Sequence, residues 1–545
     1  MVITELLERN ARLYGEEIAL VEVNPSEERD NADTWREASL IEAALPDAPY
    51  RREISWQSFD RFANRVANML LSKGAKRDTK VGILMMNCIE WLPVYFGVLK
   101  AGCIVVPLNF RYSGEEIEYC VGLADIEYLF FGPEFVGRID SIYEKMAGVK
   151  EMFFLGKNEP AYSENLMSVI KYYSTSLPPV SITEDDYAAI YFSSGTTGFP
   201  KAILHKHRAL YSSCLTEQKH HGQKKDDIFL CIPPLYHTGA KMHWFGSLLS
   251  ASRAVLLRGV KPEWILRTVT EEKCTIVWLL VPWAQDILDA IDSGRVELDH
   301  YLLDQWRLMH IGAQPVPPSL IHRWKKIFPH HDYDTNYGLS ESIGPGCVHL
   351  GIENIEKIGA IGKAGYLWKT KVIDKDGNDI TTPETVGELA VSGPGVMIEY
   401  YKNPDATAEI LHGEWLYTGD MAKIDKDGFI WLVDRKKDVV ITGGENIYPV
   451  QIEDFLRGHN SVKDVAVIGL PDSRLGEITC AIIELRDGET VTEEDINAFC
   501  LDLPRYKRPR KIIFDKVPRN PTGKIEKNVL RKKYCSKTLV EAQLT

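Results

Sequence analysis

Residues Tyr191–Lys201 read YFSSGTTGFPK, and the chain can be read outward from them. Two serines, two threonines and two glycines fill Ser193 to Gly198, and Lys201 follows three positions later. Gly195 and Gly198 free closely spaced backbone N–H groups to point one way. Such a cradle suits an anion such as phosphate, and a lysine at its rim adds a compact positive charge. Tyr187–Phe192 before it is an apolar run that predicts a buried strand, and Ala202–His205 after it predicts another. The loop therefore joins strand to strand. It is not a Walker A loop, which needs Gly-Lys-[Ser/Thr], because Pro200 precedes Lys201 and Ala202 follows it. The plain alternative is a surface turn, for which Ser, Gly and Thr are common material.

The chain has 545 residues, too many for one core, so two or more domains are expected. A net charge of −13 disfavours nucleic acid as the main partner. None of the ten cysteines stands in a Cys-x-x-Cys pair, which fits a reducing cytoplasm rather than a disulfide or zinc framework. The N-terminal stretch carries acids and no long apolar run, unlike a signal peptide. No apolar run reaches transmembrane length, and Glu541–Thr545 carries no peroxisomal or prenylation signal. A cytoplasmic enzyme that is not an integral membrane protein is the expectation.

Residues 4–14 read as an amphipathic helix and Ile18–Val23 as a strand. Asn24–Arg52 is polar, acidic and marked by Pro25, Pro46 and Pro49. It reads as an exposed excursion with one helical turn at Trp35–Ala44, either a lid or, more simply, a surface hairpin. Ser55 then stands as an N-cap, with Phe59, Phe62, Val66, Met69 and Leu70 on one helical stripe. Val81–Met86, Glu90–Lys100 and Cys103–Pro107 read as strand, helix, strand, which argues for a parallel sheet. The alternation resumes at Ile228–Ile232 and Ala254–Leu257 and runs through Trp264–Thr270, Thr275–Val281, Ala284–Ile291, Leu308–Gly312 and Ser319–Ile327. From Ile358 to Val433 short runs are separated by Asp-Gly and Gly-Pro turns, the texture of antiparallel sheet or a small barrel. After Asp434 comes a basic, Gly-rich switch, RKKDVVITGGEN (Arg435–Asn446). The remainder predicts a small α+β unit: helices at Pro449–Leu456 and Glu493–Cys500, and strands at Asp464–Ile468, Thr479–Glu484 and Lys511–Phe514.

Four further stretches carry candidate chemistry, each with a plain alternative. YGLSE (Tyr337–Glu341) sets a carboxylate beside a hydroxyl. One carboxylate among phosphates suffices for Mg²⁺, which keeps its waters; a capped helix start at Ser340 is the alternative. YTGD (Tyr417–Asp420) places an aspartate after a glycine turn, where it could accept from ribose hydroxyls or form an Asx turn. Arg435, Lys437 and Asp438 sit at the domain boundary, where a solvated charge cluster would look the same. PRNPTGK (Pro518–Lys524) holds a lysine on a stiff turn, able to reach developing negative charge or simply to face solvent.

In this order and spacing the five stretches resemble the adenylate-forming, AMP-binding family: acyl- and aryl-CoA synthetases, stand-alone adenylation domains and luciferases. LKAGCIVVPLN (Leu99–Asn109), PPLYHTGA (Pro233–Ala240), GAQP (Gly312–Pro315) and IGAIGKA (Ile358–Ala364) are similar to further core motifs of the family. The resemblance runs from Trp56 to Lys524. It implies an α/β fold: a large N-terminal domain, 1–434, of parallel βα sheets plus a small antiparallel barrel, then a small mobile α+β C-terminal domain, 435–545, with a hinge at Lys437. It implies ATP, Mg²⁺, CoA and a small carboxylic acid as the molecules bound. Ser193, Ser194, Gly195, Thr196, Thr197, Gly198 and Lys201 would close over the triphosphate. Gly312, Ala313, Gln314, Tyr337 and Gly338 would line the adenine slot. Ser340 and Glu341 would handle the α-phosphate, with Glu341 on the metal, while Asp420 and Arg435 would hold the ribose. Gly443 and Gly444 would border the CoA tunnel. Lys524 would be the adenylation lysine, and His237 would stand beside the acid's carboxylate.

Two positions depart from the family pattern: Ala202 replaces the usual Gly after the loop lysine, and Ser340 the usual Thr. The reading that follows is an AMP-forming acyl-CoA synthetase, with a fatty, aryl or cyclic acid as substrate. Adenylation feeding a carrier protein is an alternative, against which stands the lack of an Asp near Tyr236–His237 and of a following carrier domain. A catalytically dead nucleotide sensor is another, against which stand Lys524, Glu341 and Asp420. Luciferase-like oxygenation is not excluded by motif, although nothing points to it. The acid pocket is expected along Tyr236–Trp244, around His310–Ala313 and Gly338–Gly344, with Trp244 and Phe245 against an apolar group and Gly239, Ala240 and Gly246 leaving room. The sequence leaves a homodimer open.

Overall fold

Strands buried on both faces read as continuous apolar runs and need helices to cover them, and the computed structural model arranges them in that way. It describes residues 1–25, 50–193, 200–312, 316–442, 445–472, 474–519 and 525–543. One sheet has seven strands in the order Asp332–Asp334, Leu308–Gly312, Ile276–Leu280, Ile228–Cys231, Arg253–Leu257, Ile18–Asn24, Tyr50–Ser55. All pairs are parallel except the last. The second sheet has eight strands. Lys80–Leu84 lies at its centre with Ile104–Pro107 and Ile126–Phe131 as parallel neighbours. At one side Tyr187–Phe192 and Ala202–Lys206 pair antiparallel, so the Gly-rich loop joins strand to strand as its flanks predict.

The largest apolar cluster fills the space between these sheets, with Leu20, Leu256 and Ile276 from one and Val81, Val105 and Phe130 from the other. Helices Trp56–Ser72, Trp91–Lys100 and Thr238–Ser250 contribute to it. Ser55 caps the first of these, its hydroxyl accepting from Ser58 N at 3.2 Å, and Phe59, Phe62, Val66, Met69 and Leu70 are all buried. Trp91–Lys100 has no polar face, because all ten of its residues are buried. It packs so closely on Trp56–Ser72 that a Cβ on Gly97 would stand 2.4 Å from Val66 Cβ.

Beyond these sheets, Lys369–Ile373, Gly387–Ser392, Trp415–Ile424, Leu411–His412 and Ile430–Arg435 form the expected antiparallel sheet. Val440–Thr442, Glu445–Ile447, Val462–Asp472, Gly476–Leu485 and Lys511–Phe514 form another, with apolar clusters drawn from residues 440 to 535. No helix of the described residues is long and apolar enough to cross a membrane. Nine cysteines are buried and Cys535 is half-buried.

The stretch expected to be exposed from Asn24 to Arg52 is buried at both ends. Asn24 is 2% and Arg52 1% exposed, and Tyr50–Ser55 is a strand paired antiparallel with Ile18–Asn24. Its ends thus form the two-strand ladder of the hairpin reading, while Trp35–Ala44 lies outside the described residues. Arg52 forks onto Glu90 at 2.5 and 3.0 Å and also pairs with Glu22. Both carboxylates are fully buried, so the arginine is held where its charge is needed rather than in water.

Candidate active site

The ends of the Gly-rich loop are fixed by the chain itself. Ser193 N donates to Lys201 O and Lys201 N to Ser193 Oγ, both at 3.0 Å. Ser194, Gly195, Thr196, Thr197 and Gly198 lie outside the described residues. Ala202, the residue that departs from the glycine pattern, is an ordinary buried strand residue paired with Phe192. The Lys201 ammonium lies 4.6 Å from the centre of the Tyr400 ring.

Tyr400 also donates to Glu341 Oε1 at 2.7 Å. It therefore joins the loop lysine to the candidate metal carboxylate, and burial together with Glu341 pushes its phenol upward. The sequence reading missed Tyr400. It lies 59 residues from Glu341, and a tyrosine in a turn-rich stretch gives no local signal of that contact. Ser340 is held from two sides: its carbonyl faces His205 Nε2 at 2.8 Å and its hydroxyl faces Thr238 Oγ1 at 3.4 Å. Burial pushes His205 down to about 4, so the neutral ring donates through Nε2 to that carbonyl.

The strand Asn336–Leu339 leads from Ser340 back to a second group. Tyr337 donates to Asp420 Oδ2 at 2.6 Å, and Arg435 Nε lies 3.4 Å from Asp420 Oδ1. Asp420 and Arg435 are cross-strand partners. The expected glycine turn before Asp420 is instead part of the continuous strand Trp415–Ile424, where Gly419 takes φ +72° at an irregularity in the ladder. That kink requires a left-handed residue and re-aims the aspartate. Thr418 Oγ1 accepts from Asp420 N at 3.2 Å and fixes the bend. Gly338 lies on the same strand as Tyr337, and Gly312 ends the neighbouring strand, where its Cβ direction meets Asn336 Oδ1 at 3.6 Å. Ala313 and Gln314 lie outside the described residues.

His237 caps helix Thr238–Ser250, its Nδ1 accepting from Gly239 N at 3.1 Å. Beyond it the expected pocket wall needs correction. Trp244 and Phe245 turn away into the main core, with Trp244 against Phe59 and Phe96 at ring distances of 6.0 and 5.8 Å. A Cβ on Gly246 would stand 2.2 Å from Gln223 Oε1, so this glycine makes room for a side chain of the protein. The large apolar rings of Trp244 and Phe245 are claimed by the core.

One turn after His237, Lys241 is fully buried. Its ammonium lies 4.5 Å from the Tyr191 ring centre and 3.3 Å from Leu235 O, and burial pushes it down to about 7. An unfolded lysine keeps its proton up to the ordinary value of about 10.5. The unfolded state therefore binds more protons between about pH 7 and 10.5, and stability rises with pH across that window. Lys241→Met is expected to be more stable than the parent below pH 7 and to lose that rise. The advantage should shrink by up to ~1.4 kcal/mol per pH unit in urea unfolding at pH 6.5, 8.0 and 9.0. A parent–variant difference constant with pH would refute the assignment.

Lys437 is exposed between the strands Ile430–Arg435 and Val440–Thr442. Just before it, Asp434 accepts from Arg435 N and from Val450 N at 2.7 and 3.0 Å. This ties the antiparallel sheet to helix Pro449–Arg457. Gly443, Gly444 and Lys524 lie outside the described residues, but both flanks of Lys524 are anchored. Arg519 forks onto Asp464 at 2.6 and 2.9 Å and bridges to Ile525, and buried Lys527 pairs with Glu453 at 2.8 Å.

Comparison with known proteins gives a consistent picture. The family described as AMP-binding enzyme matches residues 29–401, and its C-terminal domain matches residues 451–524. The long-chain-fatty-acid–CoA ligase FadD13 of Mycobacterium tuberculosis is 31% identical over 492 residues, covering 89% of this chain and 93% of that protein. A 2-succinylbenzoate–CoA ligase of Bacillus mycoides is 30% identical over 473 residues, covering 86% and 91%. The crystal structure of ATP-bound MatB from Rhodopseudomonas palustris superposes with a TM-score of 0.84 at 26% identity, covering 98% of this chain and 99% of that one.

Proposed function

Since the chain belongs to the AMP-binding enzyme family, we propose that it is an acid–thiol ligase, an AMP-forming acyl-CoA synthetase. ATP activates a carboxylic acid to acyl-AMP with release of pyrophosphate, and transfer to CoA gives acyl-CoA and AMP. The observation that carries this reading is the convergence on one short strand and the turn after it. Tyr337 gathers Asp420 and Arg435, and Glu341 gathers Tyr400 and Lys201.

A carboxylate is a poor electrophile because its leaving group would be oxide. Its oxygen attacks the α-phosphorus, the bond to the bridging oxygen breaks, and pyrophosphate leaves with the electron pair. The cost is mainly electrostatic. Lys201 and the loop would hold the phosphates, Asp420 would accept from the ribose hydroxyls, and Arg435 beside it would fix that carboxylate. Glu341 fits a magnesium ion, being a half-buried carboxylate aimed by Tyr400, and a bound ion would neutralise phosphate charge. His237, whose ring is held by the helix it caps, would face the acid. In the second step the CoA thiolate attacks the acyl carbon and the bond to AMP breaks. We assign residues 1–434 and 435–545 as the two domains, with Lys437 as the hinge that exchanges Lys524 for the Gly443–Gly444 face. Such an exchange shields a hydrolysis-prone intermediate from water.

Pyrophosphate release from ATP and Mg²⁺ over a panel of acids, each with and without CoA, tests the reading. Release that depends on an acid and accelerates with CoA supports the ligase; acid-dependent release indifferent to CoA points to another acceptor; no release with any acid removes the reading. Tyr337→Phe deletes the bond that orients Asp420. It is expected to raise the KM for ATP roughly fivefold, the equivalent of ~1 kcal/mol for one hydrogen bond, with the KM for the acid unmoved. An unchanged KM for ATP would remove Asp420 from the nucleotide site.

A further inference from the structure

Six buried titratable side chains from five elements meet beside the proposed site. Glu217 and His221 come from helix His207–His221, His243 from helix Thr238–Ser250, and His310 from strand Leu308–Gly312. Asp334 and His349 come from strands Asp332–Asp334 and Gly344–His349. None is more than 2% exposed. Glu217 Oε2 lies 2.6 Å from His243 Nδ1, and His221 Nε2 lies 3.1 Å from His310 Nδ1. Asp334 Oδ2 lies 3.7, 3.8 and 3.9 Å from His310, His221 and His349. The ring of His243 stands 4.3 Å from that of His310 and 4.4 Å from that of Trp278.

Buried polar atoms are ordinarily hydrogen-bonded, yet among the described residues His310 Nε2 and His221 Nδ1 have no hydrogen-bond partner, and Asp334 Oδ2 and both nitrogens of His349 have only the longer ion-pair contacts of 3.7 to 3.9 Å. A cluster with so many open valences suits a polar ligand. Its place in the fold says which ligand. His243 stands on the helix that His237 caps, six residues on, or about 9 Å along the axis. His310 shares a sheet face with Gly312, two residues away. Asn336, the neighbour of Tyr337, brings its amide to 3.4 Å from His243 Nε2. Trp278 packs under Gly239, at 2.8 Å from a Cβ placed there, and continues the wall to His243.

We propose that the acid activated at this site is short and carries a neutral hydroxyl at its far end, received by His243, His310 and Asn336. This rests on the ligase reading. The tilted rings of Trp278, His243 and His310 close this end of the site to a long chain, and methylenes laid against them would leave His310 Nε2 without a partner. A hydroxyl both donates and accepts, matching imidazole nitrogens and an amide. A second carboxylate would face Glu217 and Asp334, which already supply two acidic groups. Asp334 is itself held well below the usual carboxylate range: burial opposes this, and His310 and His349 outweigh it.

The test is acid-dependent pyrophosphate release, read as kcat/KM, over two matched triples and palmitate. The triples are hexanoate, 6-hydroxyhexanoate and adipate, and 3-phenylpropionate with its para-hydroxy and para-carboxy forms. The hydroxy member of at least one triple is expected to exceed both companions by tenfold or more. An unsubstituted acid, a diacid or palmitate as the best substrate would overturn the proposal, although the ligase reading would stand. No release with any acid would remove both. His243→Leu keeps the volume and deletes the nitrogens. It is expected to cancel the tenfold preference through the KM of the hydroxy acid while the KM for ATP stays within twofold. An equal loss with every acid would mean a purely structural cluster and overturn the proposal. Should that variant fail to fold, Asn336→Leu carries the same expectation. The nitrogens of His221, His243 and His310 also lie within 4.8 Å of one another. One equivalent of a transition metal in the purified protein, lost in His243→Leu, would overturn the proposal in favour of a metal centre.

Discussion

Replacing Lys524 with alanine is expected to slow acyl-adenylate formation by roughly 10²–10³-fold, the usual cost of losing one charge-stabilising group in an active site. Thioester formation from supplied acyl-adenylate and CoA should stay within a few fold of the parent. The split follows from where the lysine is carried. Its segment is clamped on one side by Arg519 on Asp464 and on the other by Lys527 on Glu453. All four residues fall within 435–545, so in the proposed two-domain scheme Lys524 would travel with that part. A lysine that serves only one of two domain positions matters to only one half-reaction. Measuring the two halves separately decides the matter, and an equal loss in both would refute the two-position scheme.

Arg52→Ala is expected to lower the unfolding free energy by about 3–5 kcal/mol, because it removes the guanidinium that the fully buried Glu22 and Glu90 carboxylates both accept from. Most of that cost is the burial of two carboxylates that have lost a shared cation, rather than the lost bonds themselves. Combining Arg52→Met with Glu22→Gln and Glu90→Gln should recover most of the loss. Urea unfolding of the single and triple variants checks this. A single variant within 1 kcal/mol of the parent, a margin ordinary for surface changes, would show that the trio is solvated.

Much of this molecule is legible from its sequence where the signal is local. The Ser55 cap, the stripe Phe59 to Leu70 and the alternation of strand and helix are each read from neighbouring residues. The Gly-rich loop is read as a strand-to-strand connection because apolar runs flank it on both sides. What escapes the reading is contact at a distance. Arg52 sits in a polar, proline-marked stretch, and its acid partners lie 30 and 38 residues away, so it passes for a surface residue. Tyr400 has no feature that points to Glu341. The sequence places His243 and His310 along the expected acid pocket, but nothing local ties them to Glu217, His221, Asp334 or His349, and only the crossing of helices and strands brings these together. Trp244 and Phe245 were expected along the substrate because they follow His237 closely. Their size decides otherwise, since large apolar rings go to the deepest space available.

The burial of nine of the ten thiols has a practical consequence. Burial pushes the Cys103, Cys231 and Cys347 thiols up to about 12 and that of Cys500 to about 11, and the thiolate is the form that reacts. Alkylating reagents and oxidants therefore meet a surface with Cys535 alone in partial reach, and every further modification must wait for a segment to open. Labelling becomes a clock for local unfolding. Cys480 and Cys500 time the C-terminal part, and the seven others time the rest, in one reaction read by peptide mass.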